Sequence, residues 1–118
     1  MVVQGLCKGA FSHAGQICIS VQRIYVHKDI EAEFTKLFID AVKKIKYGNP
    51  LDESVEMGPM INSEACQNTA AFINEAVKLG AKVLLQGEQK EHNIFTPTIL
   101  TNTTAQMKVV MVRFLVSQ

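Results

Sequence analysis

The order of segments along the sequence predicts an α/β fold. Residues 22–27, Gln-Arg-Ile-Tyr-Val-His, are rich in β-branched and aromatic side chains and read as a strand. Two amphipathic helical patterns follow at 29–47 and 63–79, and then come an apolar strand at 81–85 and an extended segment at 95–100. Strand, helix, helix, strand is the arrangement of an α/β layer structure. With 118 residues the chain has room for one domain, and 47% apolar against 19% charged residues is far from a disordered composition.

Residues 2–13 are short and mostly apolar, with helical character that Gly5 and Gly9 weaken. Gly15 points to a tight loop in Ala14-Gly15-Gln16-Ile17-Cys18. The pattern at 29–47 is the clearest: Ile30, Phe34, Leu37, Phe38, Ala41, Val42 and Ile45 recur at helical spacing. Asp29 is placed to cap this helix, with Glu31 and Glu33 at the positive end of its dipole and Lys43, Lys44 and Lys46 at the negative end. Gly48-Asn49-Pro50 stops it. After a loop containing Gly58-Pro59, Ser63 is expected to cap a second helix with Cys66, Ala70, Ile73 and Val77 on one face, ended by Gly80. Residues 81–85 read as a buried strand and 86–93 as a polar turn, and Pro97 suits an edge or a strand start. Residues 109–116 form a last apolar run.

Charge and cysteine usage exclude several classes. Twelve Lys and Arg against eleven Asp and Glu leave a net charge of +1, without the basic runs of a nucleic-acid binder. The purely apolar stretches are only a few residues long, so no membrane partner is expected, and Met1-Val2-Val3-Gln4-Gly5 lacks the pattern of a signal peptide. A soluble, cytoplasmic chain is the expectation. Cys7, Cys18 and Cys66 are odd in number and widely spaced, without C-x-x-C, so neither a disulfide framework nor a metal site is expected. His13, five residues before Cys18, reads as a packing or capping loop residue rather than a base, and His27 and His92 as surface or strand-end residues. Cys66 lies on the apolar face of its helix and reads as core.

What remains is the choice between inert thiols and one reactive thiol, Cys18. A thiol attacks a carbonyl as its thiolate, and the tetrahedral oxyanion then needs hydrogen-bond donors such as a backbone N–H on the nucleophile's own loop. Composition alone favours a small buried hydrophobe. The surrounding residues decide otherwise. Gly9-Ala10-Phe11-Ser12-His13-Ala14-Gly15-Gln16-Ile17-Cys18, continuing through Ile19-Ser20-Val21-Gln22-Arg23-Ile24-Tyr25-Val26, closely resembles the active-site cysteine segment of the NAD(P)-dependent aldehyde dehydrogenases. The helix end and turn at Tyr47-Gly48-Asn49-Pro50, the loop Met57-Gly58-Pro59-Met60-Ile61-Asn62, and the segments Gly80-Ala81-Lys82-Val83-Leu84-Leu85 and Phe95-Thr96-Pro97-Thr98-Ile99-Leu100 resemble the same family in order and spacing.

The resemblance implies a three-layer α/β/α unit, a partial Rossmann-like catalytic domain over residues 1–118 with a divergent tail at 112–118. It implies Cys18 as the nucleophile that forms a thiohemiacetal, gives up hydride to the nicotinamide of NAD or NADP, and holds the acyl group as a thioester until water releases it. The Cys18 N–H would supply part of the oxyanion hole, Gln16 and Arg23 would support the loop, and the substrate would be a small aldehyde. No cofactor-binding residue is assigned: the family's cofactor domain and its glutamate base lie upstream of the cysteine, and no Gly-x-Gly-x-x-Gly stretch occurs here. Where the family carries a pair of glutamates and a Phe-Gly-Pro turn, this sequence has Val112-Arg113-Phe114-Leu115-Val116-Ser117. The chain is therefore expected to be the front part of a catalytic domain cut on both sides, with little or no turnover alone. Its expected partners are further copies of itself in a homo-oligomer or the missing part of a split enzyme. The rival reading is a non-catalytic remnant that self-associates, with Cys18 merely a reactive thiol.

Overall fold

The computed structural model describes residues 1–111. The divergent tail at 112–118, and the apolar run beyond position 111, lie outside the described residues. The elements in chain order are α1 (Val2–Phe11), a 3₁₀ turn (Ser12–Gly15), α2 (Glu31–Val42), α3 (Ser63–Lys78), β1 (Lys82–Leu85), a 3₁₀ turn (Glu91–Asn93), β2 (Ile99–Thr101) and α4 (Lys108–Met111). β1 and β2 pair antiparallel, Lys82 with Thr101 and Val83 with Leu100, with an irregularity before Leu85 meets Ile99.

Alternation along the strands sends successive side chains to opposite faces of this small sheet. Leu85 and Ile99 pack with Cys7, Phe38 and Val42 of α1 and α2. Leu100, next to Ile99 along β2 and paired with Val83, packs with Cys66 and Ile73 of α3 and with Ala76, Ala81 and Met107. Helices thus cover both faces of the sheet, as the expected α/β/α layering requires. On the first face Phe34 and Phe38 stack with centroids 5.7 Å apart. On the second, α4 is held to α3 by Lys108, whose Nζ lies 3.5 Å from a Glu75 carboxylate oxygen and over the Phe72 ring.

Several boundaries differ from the sequence expectation for identifiable reasons. Asp29 does not cap α2; its backbone N–H and its carboxylate both turn back to His27, and the helix starts after Ile30. Nor does α2 reach Tyr47. The chain at 46–48 instead pairs with 56–57, the Lys46 carbonyl accepting the Glu56 and Met57 N–H groups and Gly48 N–H donating to Met57. Those tertiary bonds replace the last helical turn. Asn62, not Ser63, caps α3: its side-chain oxygen accepts the Ala65 N–H at 2.8 Å. The buried stripe of α3 runs Cys66, Ile73, Ala76, so Val77 faces solvent. β1 alternates exposed and half-buried residues rather than being buried throughout.

Residues 22–27 are the largest difference. They form no strand, because no described segment pairs with them, although Ile24 and Val26 are half-buried and Tyr25 between them is exposed. A strand-like side-chain pattern needs a neighbour to become a strand. Beside this segment and β2 lies an open groove of about 730 Å³, lined among others by Phe11, Ile24, Phe34, Ile99, Leu100 and Val110.

Candidate active site around Cys18

Cys18 stands on a tight turn between α1 and residues 22–27. Ser20 donates its N–H to the Ile17 carbonyl at 3.0 Å, which places Cys18 and Ile19 at the corner. Neither corner residue has a hydrogen bond of its own backbone N–H among the described residues. Three consecutive left-handed residues lead into it: His13 at φ 53°, Ala14 at 55° and Gly15 at 74°. Only the last is a residue type that favours this region, and a side chain at Gly15 would also sit 3.3 Å from the Ala10 carbonyl.

Both flanks of the turn are tied down. Upstream, Gln16 donates its N–H to His13 at 3.0 Å, and its side-chain oxygen accepts the N–H of Ile61 at 2.9 Å. Downstream, the Ser20 hydroxyl donates to the Ala10 carbonyl at 3.2 Å, and Val21 N–H donates to Gly9 at 3.0 Å. These bonds hold the loop against the last turn of α1 and against the Gly58–Pro59 loop.

The three thiols part company here. Cys18 is exposed, whereas Cys7 and Cys66 are buried. Burial pushes the Cys7 thiol above the usual range, with the negative charge of Glu56 adding to it, and burial does the same to Cys66. Cys66 also donates its S–H to the Asn93 carbonyl at 3.3 Å. The expectation that Cys66 is core is met.

The other sequence candidates fall into place around this turn. Gln16 supports the loop as expected. Arg23, expected to do so too, lines the open groove and makes no hydrogen bond or ion pair among the described residues. His13 is exposed, and neither a hydrogen bond nor an ion pair joins it to Cys18. The partner that sequence reasoning missed is Ile61, since a backbone N–H 45 residues away leaves no side-chain signature. Among the described residues no group of three or more His, Cys, Asp or Glu converges on a metal position, and no helix is long and apolar enough to cross a membrane.

A dinucleotide needs a phosphate cradle, commonly a helix N-terminus reached by a glycine-rich loop. α2 opens with Glu31 and Glu33, which repel phosphate, and the first turn of α3 already has the Asn62 cap on one of its free N–H groups. Neither of these helix starts offers a dinucleotide phosphate an open, uncharged cradle, no Gly-x-Gly-x-x-Gly loop leads into any helix, and no step is routed through the cofactor below.

Comparison with known proteins agrees with this geometry. The sequence pattern of the Aldehyde dehydrogenase family matches residues 1–112. The 3-sulfolactaldehyde dehydrogenase of Priestia aryabhattai is 43% identical over 100 residues, 85% of this chain and 21% of that protein. The chain thus spans about one fifth of the length of such relatives. The crystal structure of betaine aldehyde dehydrogenase from Staphylococcus aureus in complex with NAD+ superposes with a TM-score of 0.86 at 33% identity, over 94% of this chain and 23% of that one. Glyceraldehyde-3-phosphate dehydrogenase from Methanocaldococcus jannaschii, complexed with NADP, gives 0.78 at 40% identity, over 83% of this chain and 21% of that one. With a tethered, exposed cysteine turn on an α/β layer structure that follows these enzymes closely, the chain belongs to the aldehyde dehydrogenase family.

Proposed function

We propose that this chain carries the nucleophilic cysteine segment of an NAD(P)-dependent aldehyde dehydrogenase, with Cys18 as the nucleophile and a small aldehyde as substrate. The observation that carries this reading is the exposure of Cys18 on its tethered turn while the other two thiols are buried. The Cys18 thiolate attacks the aldehyde carbon: the C–S bond forms and the carbonyl π pair moves onto oxygen. The N–H of Cys18, unbonded among the described residues, supports a role as donor to that oxyanion. Oxidation to the carboxylic acid requires the removal of two electrons, for which NAD+ or NADP+ would supply the acceptor in a protein of this family. With no glycine-rich phosphate loop in the sequence and the starts of α2 and α3 closed to phosphate, the chain alone captures aldehyde and releases it again with little or no turnover. A cytoplasmic location fits three free thiols.

Protection from alkylation tests this. A short aldehyde in excess should slow the reaction of Cys18 with iodoacetamide, read by peptide mass mapping, while aldehyde and NAD+ together yield no NADH absorbance. An unprotected Cys18 contradicts the nucleophile assignment, and steady NADH formation contradicts the inactivity.

The groove favours a second reading. Among the described residues β2 has a ladder partner on one edge only and residues 22–27 have none, so these residues present unpaired backbone beside apolar side chains. Such a surface draws a second chain, either another copy or the missing part of a split enzyme, and in a non-catalytic remnant self-association would be the whole function. Size-exclusion chromatography with light scattering decides: a dimer or larger species is expected, and a clean monomer contradicts it.

A further inference from the structure

We infer that Gln16 is a positioning residue for Cys18, acting through its hydrogen bond from Ile61. This rests on the assignment of Cys18 as nucleophile.

Among the described residues the turn Ile17–Ser20 has only one internal hydrogen bond, Ser20 N–H to Ile17. On its downstream side it is sewn to α1, its neighbour in sequence, by Ser20 and Val21. On its upstream side the one long-range hydrogen bond among the described residues is that of the Gln16 side chain, which reaches a loop 45 residues away. That loop is itself fixed. Met60 is buried and donates its N–H to Asn93 at 2.8 Å, and Asn62 caps α3 at the next residue after Ile61. The Gln16 oxygen therefore holds the turn to the rigid start of α3. Without it, the left-handed run His13-Ala14-Gly15 keeps the packing of Ala14 against the Met60, Cys66, Ile73 and Phe95 cluster, but among the described residues only the short-range Gln16–His13 hydrogen bond fixes the direction of the backbone leading into the turn. A turn free to relax redirects the Cys18 N–H, which disturbs stabilisation of an oxyanion while leaving the thiol as exposed as before.

Two reagents separate these effects on the intact chain. Iodoacetamide alkylates the thiolate by displacement of iodide, with no oxyanion. With p-nitrophenyl acetate the thiolate adds to the ester carbonyl, an oxyanion forms, and a C–S bond replaces the C–O bond as p-nitrophenolate leaves. In Gln16→Leu, and in Gln16→Asn, whose amide is one methylene too short, acylation of Cys18 should fall on the order of tenfold, the effect of one lost hydrogen bond, while alkylation changes by less than about twofold. Gln16→Glu keeps an acceptor oxygen at the same reach and should retain most of the acylation rate. Labelling of Cys7 and Cys66 monitors the fold. Equal acylation in all variants, a parallel fall in both reactions, or no rescue by Gln16→Glu overturns the inference. If the unmodified chain acylates at Cys18 no faster than a free cysteine does, the nucleophile assignment fails instead.

Discussion

The Cys66 thiol donates to the carbonyl oxygen of Asn93, 3.3 Å away, and the same oxygen accepts the Met60 N–H at 2.8 Å. One carbonyl therefore joins the core of α3 to the Gly58–Pro59 loop, with Asn93 held at φ 59° to aim it. Cys66 has no exposed surface and packs against Met60, Ile73 and Phe95.

Cys66→Ala removes the sulfur but leaves the Asn93 carbonyl satisfied by Met60, so its cost is that of a small cavity, about 1–2 kcal/mol. Urea denaturation should show a lower midpoint with an unchanged slope. An unchanged midpoint contradicts the packing assigned to this thiol.

Stability should fall in mild alkali. Burial raises both Cys7 and Cys66, so the folded chain holds these protons more tightly than the unfolded chain. Below the unfolded thiol pKa of about 8.5 the contribution is fully present; above it the unfolded state ionises first, and stability is lost until the folded thiols also titrate. The melting temperature should drop between pH 7.5 and 9.5, and drop less in Cys66→Ala. A flat profile contradicts the linkage.

Gly87 is packed so closely against the Thr96 carbonyl and the Thr98 hydroxyl that a Cβ has no room, and its N–H donates to that hydroxyl at 3.1 Å. Gly87→Ala must pry the β1–β2 connection apart and should cost about 1–3 kcal/mol. Thermal denaturation checks this; a variant as stable as the parent contradicts the close approach.

The sequence made legible what depends on local pattern. The apolar spacing of Phe34, Phe38 and Val42 marked a helix because one face had to be buried, and Gly80 marked the end of the next. The tight loop before Cys18 was legible through Gly15, which stands at φ 74°. Asp29 was misleading: a carboxylate that can cap a helix can equally bond to its own neighbourhood, and His27 took it. Residues 22–27 failed as a strand for a different reason, since pairing is a property of two segments and the pattern resides in one. His13 and Ala14 gave no sign of their left-handed conformation, which stands between the Gln16–Ile61 bond and the packing of Ala14 on the Met60 and Cys66 cluster, contacts that no local pattern encodes.

Competitive alkylation tests the central assignment most directly. The folded chain is treated at neutral pH with less than one equivalent of iodoacetamide, and the three cysteine peptides are quantified. Cys18 should carry nearly all of the label, at least about tenfold ahead of Cys7 and Cys66, and the preference should vanish in urea. Equal labelling of the three thiols in the folded chain would contradict the account.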